Sequence, residues 1–74
     1  MKEVKPIRHI RRHSPPVTPE MAAQMRTMVT KLGMMQHDVA AYFGVNPGRV
    51  SEVVNGHTFV DVPPAPLSRL TYLQ

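Results

Sequence analysis

Gln36-His37-Asp38-Val39-Ala40-Ala41-Tyr42-Phe43-Gly44-Val45-Asn46-Pro47-Gly48-Arg49-Val50-Ser51-Glu52-Val53-Val54-Asn55 decides how the rest of the chain is read. Val39, Ala40 and Phe43 fall on one side of a helical wheel, and Val50, Val53 and Val54 on one side of a second. Gly44 ends the first helix at the bend, and Val45 plugs the bend into the core. Asn46 is a favoured N-cap residue, and Pro47 fits the first position of the helix that follows. Ala40 is small where two helices must cross. Two short helices joined by a tight turn, a helix-turn-helix, are therefore expected over 36–55.

Upstream, Thr18-Pro19-Glu20 is a strong helix start: a hydroxyl cap, a proline at the first position and an acid at the positive helix end. Met21, Met25, Met28, Val29 and Leu32 recur with helical spacing, and this stripe reads as core rather than as a methionine-rich binding groove. Gln24, Arg26, Thr27, Thr30 and Lys31 are assigned to the other faces. Gly33 supplies the stop, and Met35 is placed at the edge of the core. Downstream, Asn55-Gly56 ends the third helix. Residues 57–62 are β-branched and aromatic and predict a short extended segment packing back on the bundle. Pro63-Pro64-Ala65-Pro66 follows, and Leu67, Leu70 and Leu73 then recur every three residues, predicting a short final helix. Their apolar side chains either close the monomer core or form a dimer surface.

The fold class expected is all-α: a small helix-turn-helix bundle of three to four helices, residues 18–74, preceded by a flexible basic arm and Pro-rich linker, residues 1–17. Pro6 and Ser14-Pro15-Pro16-Val17 exclude a continuous helix there. The chain has 74 residues, enough for one domain with a modest core, so association into a homodimer is expected to help it. There is no cysteine, which excludes disulfides and thiolate metal sites and fits a reducing cytosol. No apolar run spans a bilayer and no secretory signal is present, so no membrane partner and a cytoplasmic, nucleoid-associated location are expected. Charge is concentrated in the arm. Lys2, Lys5, Arg8, Arg11 and Arg12 stand against Glu3 alone and account for the whole net charge of +4. Such a segment is an electrostatic footprint for a polyanion, or else a solubilising tail.

Residues 21–56 resemble the helix-turn-helix core of the Cro/repressor-like (XRE-type) DNA-binding family. The resemblance lies in Leu32-Gly33, Gln36, Val39-Ala40, Phe43-Gly44-Val45, Val50-Ser51, Val53 and Asn55-Gly56, about half of the chain. It implies that Gln36 opens the first motif helix and touches phosphate, that Pro47, Gly48, Ser51 and Glu52 lie toward the bases, and that Asn55 sits near the backbone. Many members carry glutamine or serine where this chain has Pro47 and Gly48. Neither offers a side-chain hydrogen bond, but their lack of bulk is expected to bring backbone N–H groups of the helix start close to a phosphate. Arg49 is the only long cation on this helix. It suits guanine O6 and N7 or a phosphate, and the family register favours the phosphate. Glu52 either accepts from cytosine N4 or pairs with Arg49 three residues earlier on a solvated face.

These readings converge on a sequence-specific regulator that binds double-stranded DNA, repressor-like and dimeric, with its recognition helix at about 47–55 in the major groove. Gln36, Asn46, Arg49 and Asn55 would fix the backbone. Ser51 and Glu52 would read bases. Arg8, Arg11 and Arg12 of the arm would add affinity and minor-groove contact. The same architecture serves recombination and partition accessory factors. It also serves modules that bind a regulatory protein instead of DNA, such as antiactivators. An enzyme is not expected, nor a cofactor or a metal. His9, His13, His37 and His57 are scattered, no glycine-rich phosphate loop is present, and Gln36-His37-Asp38 places neighbouring side chains on different helix faces.

Overall fold

Thr18 sits in extended backbone and its hydroxyl accepts the Met21 N–H at 3.2 Å, so the first helix starts where its cap and proline dictate. A computed structural model describes residues 15–74 of the chain. Among these residues three α-helices follow one another: α1 (Pro19–Thr30), α2 (Gln36–Phe43) and α3 (Pro47–Val54). Two single-turn 3-10 helices, Leu67–Arg69 and Thr71–Leu73, close the chain, and there is no strand among the described residues. The protein is thus a small all-α bundle containing a helix-turn-helix. Among the described residues no helix is long and apolar enough to cross a membrane. The arm, with Arg8, Arg11 and Arg12, lies outside the described residues.

Each helix of the bundle touches the other two, with the most extensive packing between α2 and α3. Ala22, Met25 and Met28 from α1 meet Val39 and Ala40 from α2, Val45 from the turn, and Val50 and Val53 from α3. All are buried, and Ala40 lets the helices approach as its size requires. Burying each of the larger side chains contributes about 1.5–3 kcal/mol. Both motif helices end alike. Gly44 is left-handed (φ 73°), with the Val45 N–H returning to the Ala40 carbonyl and the Gly44 N–H to Ala41. Gly56 (φ 78°) repeats this, with the His57 N–H returning to Glu52 and the Gly56 N–H to Val53. These are Schellman ends, which a β-carbon would strain. They fix where α2 stops and the turn begins.

Four expectations are corrected. Gln24 and Thr27 are buried rather than on outer faces of α1. Met35 is 61 % exposed, because it stands in extended backbone before α2, and Met34 packs on the core instead. Residues 57–62 are not extended. Phe59 is left-handed (φ 52°), and the Val62 N–H closes a turn onto the Phe59 carbonyl at 3.0 Å. No continuous helix forms after Pro66: Leu70 leaves helical geometry (ψ 115°) between the two short turns and is fully buried in the core. Leu67 and Leu73, three residues to either side, are about half exposed. Leu70 therefore closes the monomer core, while its neighbours do not.

Candidate nucleic-acid interface

Helix α3 buries Val50 and Val53 completely or nearly so, which commits that side of the helix to the core. With 3.6 residues per turn, the opposite side must carry Gly48, Ser51, Glu52 and Asn55, with Arg49 at its flank. Gly48, Arg49 and Asn55 are exposed, and Ser51 and Glu52 are half-buried. The turn thus presents the third helix outward with the polar residues that the sequence singled out, in one contiguous surface.

That surface satisfies its own hydrogen bonds. Arg49 Nη2 lies 2.7 Å from Glu52 Oε2, and Asn55 Nδ2 donates to Ser51 Oγ at 3.1 Å. Of the two readings of Glu52, the pairing with Arg49 is the one found in the free protein. Both pairs lie within one helix and near water, so each contributes little to stability, of order 0.3–0.5 kcal/mol for the ion pair.

The start of α3 is closed. Asn46 Oδ1 accepts the Gly48 N–H at 2.8 Å, and the Asn46 carbonyl accepts the Arg49 N–H at 2.9 Å. Pro47 has no N–H. The expectation that Pro47 and Gly48 bring free N–H groups to a phosphate is therefore corrected: the cap already uses them. Gly48 instead serves the cap, because a β-carbon there would sit 3.2 Å from Asn46 Oδ1, tighter than ordinary contact. Helix α2 contrasts with this. It begins at Gln36, which is half-buried, and no side chain caps it. His37 Nε2 and Asp38 Oδ1 lie 3.4 Å apart on exposed side chains, so these neighbours do reach one another despite their helical positions. Among the described residues no three His, Asp or Glu side chains are grouped to hold a metal ion.

What holds the motif in place is a residue assigned to the surface from sequence. Arg26 on α1 donates Nε to the Val53 carbonyl at 3.1 Å and Nη2 to the Thr58 carbonyl at 3.1 Å, and Nη1 to the Val62 carbonyl. A rigid five-donor fork suits three carbonyls converging from one side. The Val53 carbonyl belongs to the negative end of α3, where a cation is favourable. In an extended strand the carbonyls of Thr58 and Val62 would stand about 13 Å apart. Both carbonyls instead converge on one guanidinium across the turn at Phe59, whose left-handed backbone costs roughly 1–2 kcal/mol.

Two neighbours of Arg26 secure the rest. Thr27 Oγ1 donates to the Ala65 carbonyl at 2.5 Å, and the Ala65 N–H donates to the Ala23 carbonyl at 3.0 Å. Gln24 Oε1 accepts from the Thr71 N–H at 3.1 Å and its hydroxyl at 3.0 Å. Tyr42 on α2 hydrogen-bonds the same hydroxyl at 2.7 Å, and its ring meets Tyr72 edge-on. The signal available in the sequence was Ala22-Ala23 beside the methionine stripe: small residues that let other chain segments lie against both flanks of α1. Comparison of the chain with family models, curated proteins and solved structures gives no match.

Proposed function

We propose that this chain is a sequence-specific binder of double-stranded DNA, a repressor-like regulator acting as a homodimer at the nucleoid, with α3 as its recognition helix. The observation that carries this reading is the presentation of α3. One side is wholly committed to the core, its ends are fixed by a closed cap and a Schellman turn, and its other side offers Gly48, Arg49, Ser51, Glu52 and Asn55 to a partner. A helix so mounted suits the major groove, which is wide enough to admit it. Gln36, at the uncapped start of α2, suits a flanking phosphate. Arg8, Arg11 and Arg12 supply the long-range attraction, because residues 15–74 sum to zero formal charge.

That same zero balance favours a second reading, in which the fold binds a regulatory protein. Arg26 is bound to carbonyls and Arg49 to Glu52, which leaves α3 with a neutral outer face. The test is selection from a random duplex pool at near-physiological salt, followed by a salt series on the enriched sequence. The DNA reading expects an enriched motif. It also expects Arg8, Arg11 and Arg12 to neutralise phosphates. Changing them to glutamine should then flatten the slope of log affinity against log salt by about 0.9 for each phosphate released. No enrichment, together with a slope indifferent to the arm, rejects it in favour of the protein partner.

A further inference from the structure

The outer face of α3 holds one cation, and that cation is already occupied. Arg49 Nη2 and Glu52 Oε2 are 2.7 Å apart, with the side chains 52 % and 38 % exposed. A phosphate offers Arg49 an acceptor but offers Glu52 nothing. Moving the guanidinium to a phosphate leaves a carboxylate unpaired beside an anion, which is repulsive. The edge of a G·C pair differs. Guanine O6 and N7 take the guanidinium fork bidentately, and cytosine N4 donates to a carboxylate. Residues three apart on a helix are separated by about 4.5 Å along its axis. Successive bases of one strand lie about 3.4 Å apart, so both contacts reach the same or adjacent base pairs.

We propose, on the DNA-binding reading above, that Glu52 is a specificity-determining brake on Arg49. It withholds the helix's single cation from non-specific phosphate contact and releases it where a G·C edge satisfies both side chains at once. The pair therefore directs the protein toward targets with G·C pairs at the centre of each α3 contact, and it acts mainly by weakening binding elsewhere. The neighbouring Ser51–Asn55 pair is of the same self-satisfied kind but uncharged, so it carries no comparable penalty on a phosphate.

The test uses the full chain and three variants, Glu52→Gln, Arg49→Ala and both together. Fluorescence anisotropy is read on the duplex enriched from a random pool and on a scrambled duplex, over a salt series, with circular dichroism to follow helix content. Glu52→Gln keeps the side chain's shape and removes its charge. It is expected to tighten binding to the scrambled duplex by roughly three- to tenfold. It should also steepen the salt slope by about 0.9, the signature of one more neutralised phosphate, and shrink the preference for the enriched duplex. With Arg49→Ala in place, most of that increase disappears. An equal increase with and without Arg49 overturns the brake, since plain repulsion between Glu52 and DNA then suffices. Unchanged binding of Glu52→Gln to the scrambled duplex also overturns it and leaves the DNA reading intact. An enriched motif lacking G·C pairs under α3 does the same. A wild-type chain that binds neither duplex overturns the DNA reading and the brake with it.

Discussion

Helices α1 and α3 each carry an arginine among other polar side chains, and they satisfy them in opposite ways. On α1, Arg26, Thr27 and Gln24 bond groups 27 to 47 residues away, mostly on the main chain of the C-terminal segment. On α3, Arg49 and Glu52, and Ser51 and Asn55, bond each other three or four residues along the same helix. The first set ties α1 to groups distant in sequence in a part-buried site, so it is released only by opening the fold. Exposed side-chain pairs exchange freely with water or with a partner. The contrast separates polar groups that build this molecule from polar groups that are available for use.

Arg26→Met tests the structural side most severely. It keeps much of the side chain's packing but removes the guanidinium from the carbonyls of Thr58 and Val62, and from that of Val53, which keeps only the Gly56 N–H. A destabilisation of about 3 kcal/mol is expected. Urea denaturation reads it directly, and each kcal/mol should lower the melting temperature by about 4–8 °C in a domain of this size. Lysine at the same position should recover less than half, because an ammonium point charge does not replace a planar fork. A change below about 0.5 kcal/mol, the range of ordinary surface substitutions, would erase the distinction between the two arginines.

Gln24→Leu comes next, at roughly 1–2 kcal/mol. It leaves the Thr71 N–H and hydroxyl without the Gln24 acceptor, while Leu70 still fills the core. Hydrogen exchange at the Thr71 amide should accelerate more than exchange within α2. Uniform acceleration across the bundle would mean that Gln24 supports the whole core rather than the attachment of the C-terminal segment. Asn46→Ala follows at about 1 kcal/mol, the usual cost of an N-cap, with helix loss confined to the first turn of α3.

What the sequence makes legible is local. Caps at Thr18 and Asn46, the stops at Gly44 and Gly56, and the burial of Met25, Met28, Val39, Val50 and Val53 all depend on residues within a turn or two of each other. The Arg49–Glu52 pair is legible for the same reason, as an i, i+3 spacing of opposite charges. Arg26, Gln24 and Thr27 are misplaced by periodicity because their partners come from a segment whose path no local pattern dictates. Residues 57–62 have the composition of a strand, yet they turn at Phe59 and bring the carbonyls of Thr58 and Val62 to Arg26, a partner more than 30 residues away. Leu67, Leu70 and Leu73 are equivalent in the sequence, yet only Leu70 enters the core, where the helix breaks and the Thr71 N–H bonds Gln24, a residue 47 positions away. At the candidate site, periodicity alone places the residues on the outer face of α3. The Asn46 cap likewise implies that the N–H groups at the start of α3 are used. Reading Pro47 and Gly48 as an opening for phosphate overlooks that cap.

The smallest expected effect tests the contrast from its other end. Arg49→Ala should change stability by no more than about 0.5 kcal/mol, since it removes only an exposed ion pair and leaves the Val50 and Val53 packing untouched. Asn55→Ala should behave alike, because its main-chain N–H still bonds the Ser51 carbonyl. On the DNA-binding reading the same Arg49→Ala chain binds more weakly, with a salt slope shallower by about 0.9 if Arg49 grips a phosphate. If Arg49 grips guanine, the slope stays and discrimination at one base pair drops by about 1–3 kcal/mol. A variant that keeps its stability and binds no longer assigns Arg49 to the partner. One that is destabilised by more than about 1 kcal/mol would show that the Arg49–Glu52 pair belongs to the fold after all, and α3 would then differ from α1 only in degree.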